Sequence, residues 1–281
     1  MAINLMYITN NPKVAVVAEK SGVDRIFVDM EYIGKDLRQG GMDTVQSHHT
    51  FEDIKLIKEN VTCAKVLVRC NPIHNATHEY ESSENEINKI IDCGADIIML
   101  PYFKTTEEVA TFIKLVNKRA RTMLLFETPE SRELADEILE LDGIDEVFIG
   151  LNDMSLGYGM KFMFQLLSDG TVDELCDKFR RKNIPYGFGG LASLEGGLLP
   201  GKMVLTEHYR LGSSCVILSR SFCNTNKIND FEKIEQAFQK GLADIRAFEE
   251  KSSKFTLKEF EDNKQNVKLA VDTILERIQE K

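Results

Sequence analysis

The sequence predicts a closed (β/α)8 barrel of the α/β class, a TIM barrel in architecture, with a helical C-terminal extension. Three observations carry this. Eight short apolar runs recur along the chain, segments of helical period separate them, and no change of composition marks a second globular domain. The runs are INLMYIT (3–9), RIFVDME (25–31), AKVLVRC (64–70), DIIMLPY (96–102), TMLLFET (122–128), EVFIGLN (146–152), YGFGGLA (186–192) and SCVILSR (214–220). Most are too continuously apolar for strands with one face in water, so they are expected as parallel strands buried on both faces. A doubly wound open sheet is the alternative, but similar units in series suit closure better.

The intervening segments read as helices. In TTEEVATFIKLVNKR (105–119), Val109, Phe112, Ile113 and Val116 share one face. PESRELADEILELD (129–142) opens on proline and carries acids in its first turn, as a helix start prefers. NNPKVAVVAEKSG, FEDIKLIKEN, SENEINKIIDCG and VDELCDKFRRKN repeat the pattern. The barrel is assigned to residues 1–250 and the extension to 251–281. Two segments exceed a minimal barrel: the long loop 32–50 after the second strand, and the charged helical tail. Phe255, Leu257, Phe260, Val267, Leu269, Ala270, Val271, Ile274, Leu275 and Ile278 form an apolar stripe on that tail. The stripe must be buried somewhere. A neighbouring subunit of a symmetric homo-oligomer is the expected home, and a fold-back onto the chain's own barrel is the alternative.

With 281 residues, 43% of them hydrophobic, the chain can bury one large core. A net charge of -10 argues against a nucleic-acid surface, which needs basic patches. The cysteines at 63, 70, 93, 176, 215 and 223 form no CxxC pair and read as reduced thiols of a cytoplasmic protein. Neither a signal peptide nor a membrane span is expected.

Catalytic residues of such barrels emerge at the C-terminal ends of the strands. There the sequence offers Asp29 and Glu31 on strand two, Arg69 and Asn71 on three, and Pro101 and Tyr102 on four. Glu127 follows on five, Asn152 and Asp153 on six, Gly189 and Gly190 on seven, and Ser219 and Arg220 on eight. Glutamate is a poor strand residue, and its charge is costly to bury unpaired, so Glu127 at the tip of a core strand needs a positive partner or solvent. Glu127 and Asp153, on adjacent strands at one level, are hard oxygen donors suited to Mg2+ or Mn2+. Arg69 offers a planar fork for a carboxylate. Together they would hold a 2-oxo acid, with the metal stabilising its enolate.

VLVRCNP, CGADIIMLPYF, LLFETPES, VFIGLNDMSLGYG and GFGGLA resemble the HpcH/HpaI aldolase and citrate lyase family, within the phosphoenolpyruvate/pyruvate-binding barrels. The resemblance implies metal ligands at Glu127 and Asp153, substrate-carboxylate binding by Arg69, and reversible C–C cleavage or condensation through a pyruvate enolate. Gly150, Asn152, Gly189 and Gly190 fall around the substrate. The sequence departs from the family at strand two. The family's 2-oxo-acid aldolases carry a histidine base after an Asp-x-Glu run; here the run is DMEY, with Tyr32 in that place. Glu31, His48 and His49 are therefore the candidates for proton transfer, the histidines by returning from the end of the loop. GKDLR (34–38) faintly resembles the citrate lyase branch, and Lys35 and Arg38 are the local cations that could meet a CoA phosphate. A CoA-thioester lyase and a non-catalytic 2-oxo-acid-binding barrel are the alternative readings.

Weaker signals are set aside. GGLLPGKM (196–203) lacks the hydroxyl residue of a P-loop, because Met203 stands there. His74 and His78 have an i, i+4 spacing without a third ligand. Arg210 is expected in a structural ion pair.

Overall fold

The computed structural model describes residues 2–35, 47–225, 227–228 and 230–280. Eight parallel strands close into a ring in sequence order: β1 (Asn4–Ile8), β2 (Arg25–Asp29), β3 (Lys65–Arg69), β4 (Ile97–Leu100), β5 (Arg121–Phe126), β6 (Glu146–Ile149), β7 (Tyr186–Leu191) and β8 (Cys215–Leu218). Pairing of Leu5 with Val216 and Met6 with Ile217 shuts the ring. The (β/α)8 expectation is met, and the open-sheet alternative is excluded.

Strand side chains alternate between two cores. Met6, Phe27, Leu67, Met99, Met123, Leu125 and Phe148 fill the lumen. Val28, Val68, Leu100, Leu124, Phe126 and Ile149 face the helical layer. The same parity fixes what stands above and below the luminal plug. Two residues beyond Phe27, Leu67, Leu125 and Phe148 come Asp29, Arg69, Glu127 and Gly150, at the C-terminal rim. Two residues before Phe27 and Phe148 come Arg25 and Glu146, at the floor. There Arg25 donates to both Glu146 oxygens at 2.7 and 3.1 Å, and Arg121 approaches the same carboxylate at 3.0 Å.

The helices match the sequence expectations except in two places. The segment 129–142 is not one helix but two short ones, Pro129–Glu133 and Ala135–Ile138. Leu134, at φ −88 and ψ 6, leaves helical geometry between them, which lets Ala135 and Ile138 turn into the core. The tail helix Leu257–Gln279 packs on the chain's own helices Gly201–Leu211 and Gln165–Ser168. Val267, Val271 and Ile274 are buried there. Asn263 donates to Glu207 at 2.8 Å, and Lys264 pairs with Asp173 at 2.9 Å. The fold-back alternative accounts for the centre of the stripe, which is covered within one chain, while Leu257 and Leu269 stay exposed. Arg210 pairs with Asp173 and Glu207, as expected. Among the described residues no helix is long and apolar enough to cross a membrane.

Candidate active site

A cavity of about 890 Å³ opens at the C-terminal ends of the strands. Glu127, Asp153, Gly150 and Asn152 line one side. Arg69, Asp29, Lys35, His48 and His49 line another, and Gly189 and Gly190 a third. The luminal parity described above explains this convergence for the strand-borne residues. Of the residues singled out from the sequence, Glu31 lies behind the wall, fully buried, and acts on the cavity through its neighbours. Arg38 lies outside the described residues.

Glu127 follows the last residue of β5 and is buried. Its Oε1 accepts a hydrogen bond of 3.0 Å from the backbone amide of Tyr102. Tyr102 has φ 48, a left-handed conformation uncommon outside glycine, and this turn after β4 aims the amide at the carboxylate. The other oxygen faces Gly150. A Cβ there would stand 2.8 Å from Oε2 and 2.7 Å from the Cβ of Glu127, so only glycine fits beside this carboxylate. Asp153 sits in the first turn of the helix Leu151–Gly157 directly after β6, with Asn152 Nδ2 at 3.5 Å from its Oδ1. Two buried carboxylates at the C-terminal ends of adjacent strands are oxygen donors of the kind that suits a hard divalent cation. Among the described residues no group of three His, Cys, Asp or Glu gathers for a metal. His74 does not join one: its ring contacts Pro72 O, Ser83 and Glu81 O.

Arg69 lines the same cavity from β3, one strand removed from Glu127 at the end of β5. Its Nε and Nη2 donate to Asp29 Oδ1 and Oδ2 at 2.8 and 2.9 Å, and Nη1 lies 3.2 Å from Glu31 Oε2. The guanidinium stands over the Phe27 ring at 5.6 Å. Burial opposes ionisation of Asp29, but the charges of Arg69 and Lys35 overcome it and hold its carboxyl well below the usual carboxylate range. Three of the five guanidinium donors are engaged by protein carboxylates.

Lys35 corrects an expectation. Rather than waiting in solvent for a phosphate, it is 3% exposed, with Nζ at 2.9 Å from Asp29 and 3.4 Å from Glu31. Tyr32 does not take the place of a catalytic histidine: it is 48% exposed and packs edge-on against Tyr80, away from the cavity. His49 returns instead. Its Nδ1 accepts from the backbone amide of Asp29 at 3.0 Å, so the neutral ring carries its proton on Nε2. Burial keeps it neutral by lowering its pKa, against the charge of Asp29.

Asn71 braces the start of the strand-two loop, a role the sequence reading did not assign. Its Oδ1 accepts from the amides of Tyr32 and Ile33, both at 2.9 Å, and its Nδ2 donates to buried Glu86 at 2.8 Å. The signal available in the sequence was positional: Asn71 stands two residues beyond Arg69 on the same side.

The HpcH/HpaI aldolase/citrate lyase family model matches residues 4–163, more than half of the chain. Among solved structures, an HpcH/HpaI aldolase from Desulfitobacterium hafniense DCB-2 superposes with a TM-score of 0.57 at 16% identity, covering 83% of this chain and 93% of that one. A HpcH/HpaI aldolase/citrate lyase family protein from Burkholderia cenocepacia J2315 gives 0.59 at 11% identity, over 83% and 94%. The citrate synthase SbnG gives 0.59 at 15% identity, over 88% and 94%. At these identities the structural likeness establishes the fold. A search of curated protein sequences found no match.

Proposed function

Because this chain belongs to the HpcH/HpaI aldolase/citrate lyase family, whose members are aldolases and lyases, we propose that it is a divalent-metal-dependent carbon–carbon lyase or aldolase, running in either direction through the enolate of a 2-oxo acid of the pyruvate class. The observation that carries this reading is the convergence of the Glu127–Asp153 pair and Arg69 on one cavity.

Glu127 and Asp153 would hold Mg2+ or Mn2+. Such a cation would supply the positive charge that stabilises an enolate. Arg69 binds the substrate carboxylate through the donors that Asp29 and Glu31 leave, and its orientation is fixed by the Asp29 fork. Asn152, Gly150, Gly189 and Gly190 leave room for the carbon skeleton. His49 serves as a hydrogen-bond donor through Nε2, because its other nitrogen already accepts from Asp29. His48, exposed at the mouth of the same cavity, is then the imidazole placed to exchange a proton with the substrate carbon. Burial of Lys35 removes one cation that a CoA phosphate would have used, which favours a free acid over a thioester.

The reading is tested by proton exchange. Pyruvate incubated with the protein and Mg2+ in D2O should lose its methyl proton signal, and chelation should stop the loss. Exchange that never rises above the protein-free rate would leave only a binding role for the barrel.

A further inference from the structure

Arg69 and Lys35 share the same two carboxylate partners. Asp29 Oδ2 receives Arg69 Nη2 at 2.9 Å and Lys35 Nζ at 2.9 Å. Glu31 Oε2 lies 3.2 Å from Arg69 Nη1 and 3.4 Å from Lys35 Nζ. All four side chains are withdrawn from solvent, the most accessible being Arg69 at 14%. Two carboxylates and two cations therefore balance in a volume where water screens little.

Remove the lysine from this arrangement and two carboxylates face one guanidinium. Arg69 would then be over-neutralised, and an incoming carboxylate would meet a net negative wall with two further acids, Glu127 and Asp153, lining the same cavity. We infer that Lys35 is a positioning residue for substrate binding: by sharing the Asp29 and Glu31 oxygens it leaves the Arg69 charge available to the carboxylate of the substrate. Lys35 acts through Arg69 and needs no contact with the ligand. The inference rests on the proposed 2-oxo-acid reading, and it adds a residue that the strand-end pattern alone does not provide. The spacing that enables it is local, since Lys35 follows Glu31 by four residues across a tight turn in which the Lys35 amide donates to Tyr32 O at 3.2 Å and Gly34 has φ 72.

The test is calorimetric titration of oxalate, a mimic of the pyruvate enolate, into full-length protein with Mg2+ present. Lys35→Met should weaken oxalate binding by roughly ten- to a hundredfold, as loss of a nearby poorly screened charge does. The double variant Lys35→Met/Glu31→Gln, which restores the charge balance, should regain most of that loss, and Lys35→Arg should bind nearly as the parent does. A Lys35→Met protein with parental affinity overturns the inference. So does a double variant as weak as the single one, since that marks disruption of packing rather than charge. Should Lys35→Met fail to fold, Glu31→Gln alone decides: with one carboxylate gone and Lys35 kept, oxalate should bind several-fold more tightly, and unchanged or weaker binding overturns the assignment. If the parent protein itself does not bind oxalate, the 2-oxo-acid reading fails and the role of Lys35 falls with it, an outcome distinct from the variant results.

Discussion

The two ends of the barrel lumen both bury charge, and they bury it differently. At the floor, Glu146 is 2% exposed and both its oxygens are bound, by Arg25 and Arg121. No carboxylate is left over. At the rim, Arg69 and Lys35 pair with Asp29 and Glu31, while Glu127 and Asp153 line the same cavity. The floor is a closed ion-pair cluster that stabilises the ring where the strands begin; the rim presents its charges to a cavity. A buried charge therefore does not mark a site by itself. What distinguishes the rim is that its charged side chains line a cavity, where only a glycine at position 150 fits beside Glu127.

This contrast can be broken at either end. The largest effect is expected at the floor: Glu146→Gln leaves Arg25 buried without its counter-charge and should cost about 3–5 kcal/mol of stability, read by denaturant unfolding. The same variant, at temperatures where it is folded, should bind Mg2+ and oxalate as the parent does. A floor substitution that abolished ligand binding without loss of stability would erase the distinction. A smaller effect is expected at the rim. Arg69→Lys keeps the charge but loses the fork to Asp29, so oxalate affinity should fall by about 1–3 kcal/mol with little change in unfolding. Unaltered oxalate affinity would make Arg69 another structural cation like Arg25.

Much of this was legible in the sequence because the barrel buries both faces of its strands. Continuous runs such as VLV and MLLF identify a strand, and the parity of Phe27 to Asp29 or Leu125 to Glu127 then places the rim residues. The relations between rim residues were less accessible. That Lys35 turns inward to Asp29, and that Tyr32 turns outward to Tyr80, depends on where the Asn71 brace sets the start of the loop. Local periodicity carries no record of that. The break at Leu134 was hidden for a similar reason, since the residues on either side are good helix formers and tertiary packing decides the bend. The tail shows the limit of amphipathicity: its stripe demanded burial, but only the groove beside the helix Gly201–Leu211 says against what.

The central claim is that the rim carboxylates hold a divalent cation, and calorimetric titration of Mg2+ and Mn2+ into the parent protein and Glu127→Gln tests it most directly. The parent should bind one cation per chain, and Glu127→Gln should lose that binding while unfolding at the same temperature within a few degrees. Equal affinity in the two proteins, or no binding to the parent, would contradict the account.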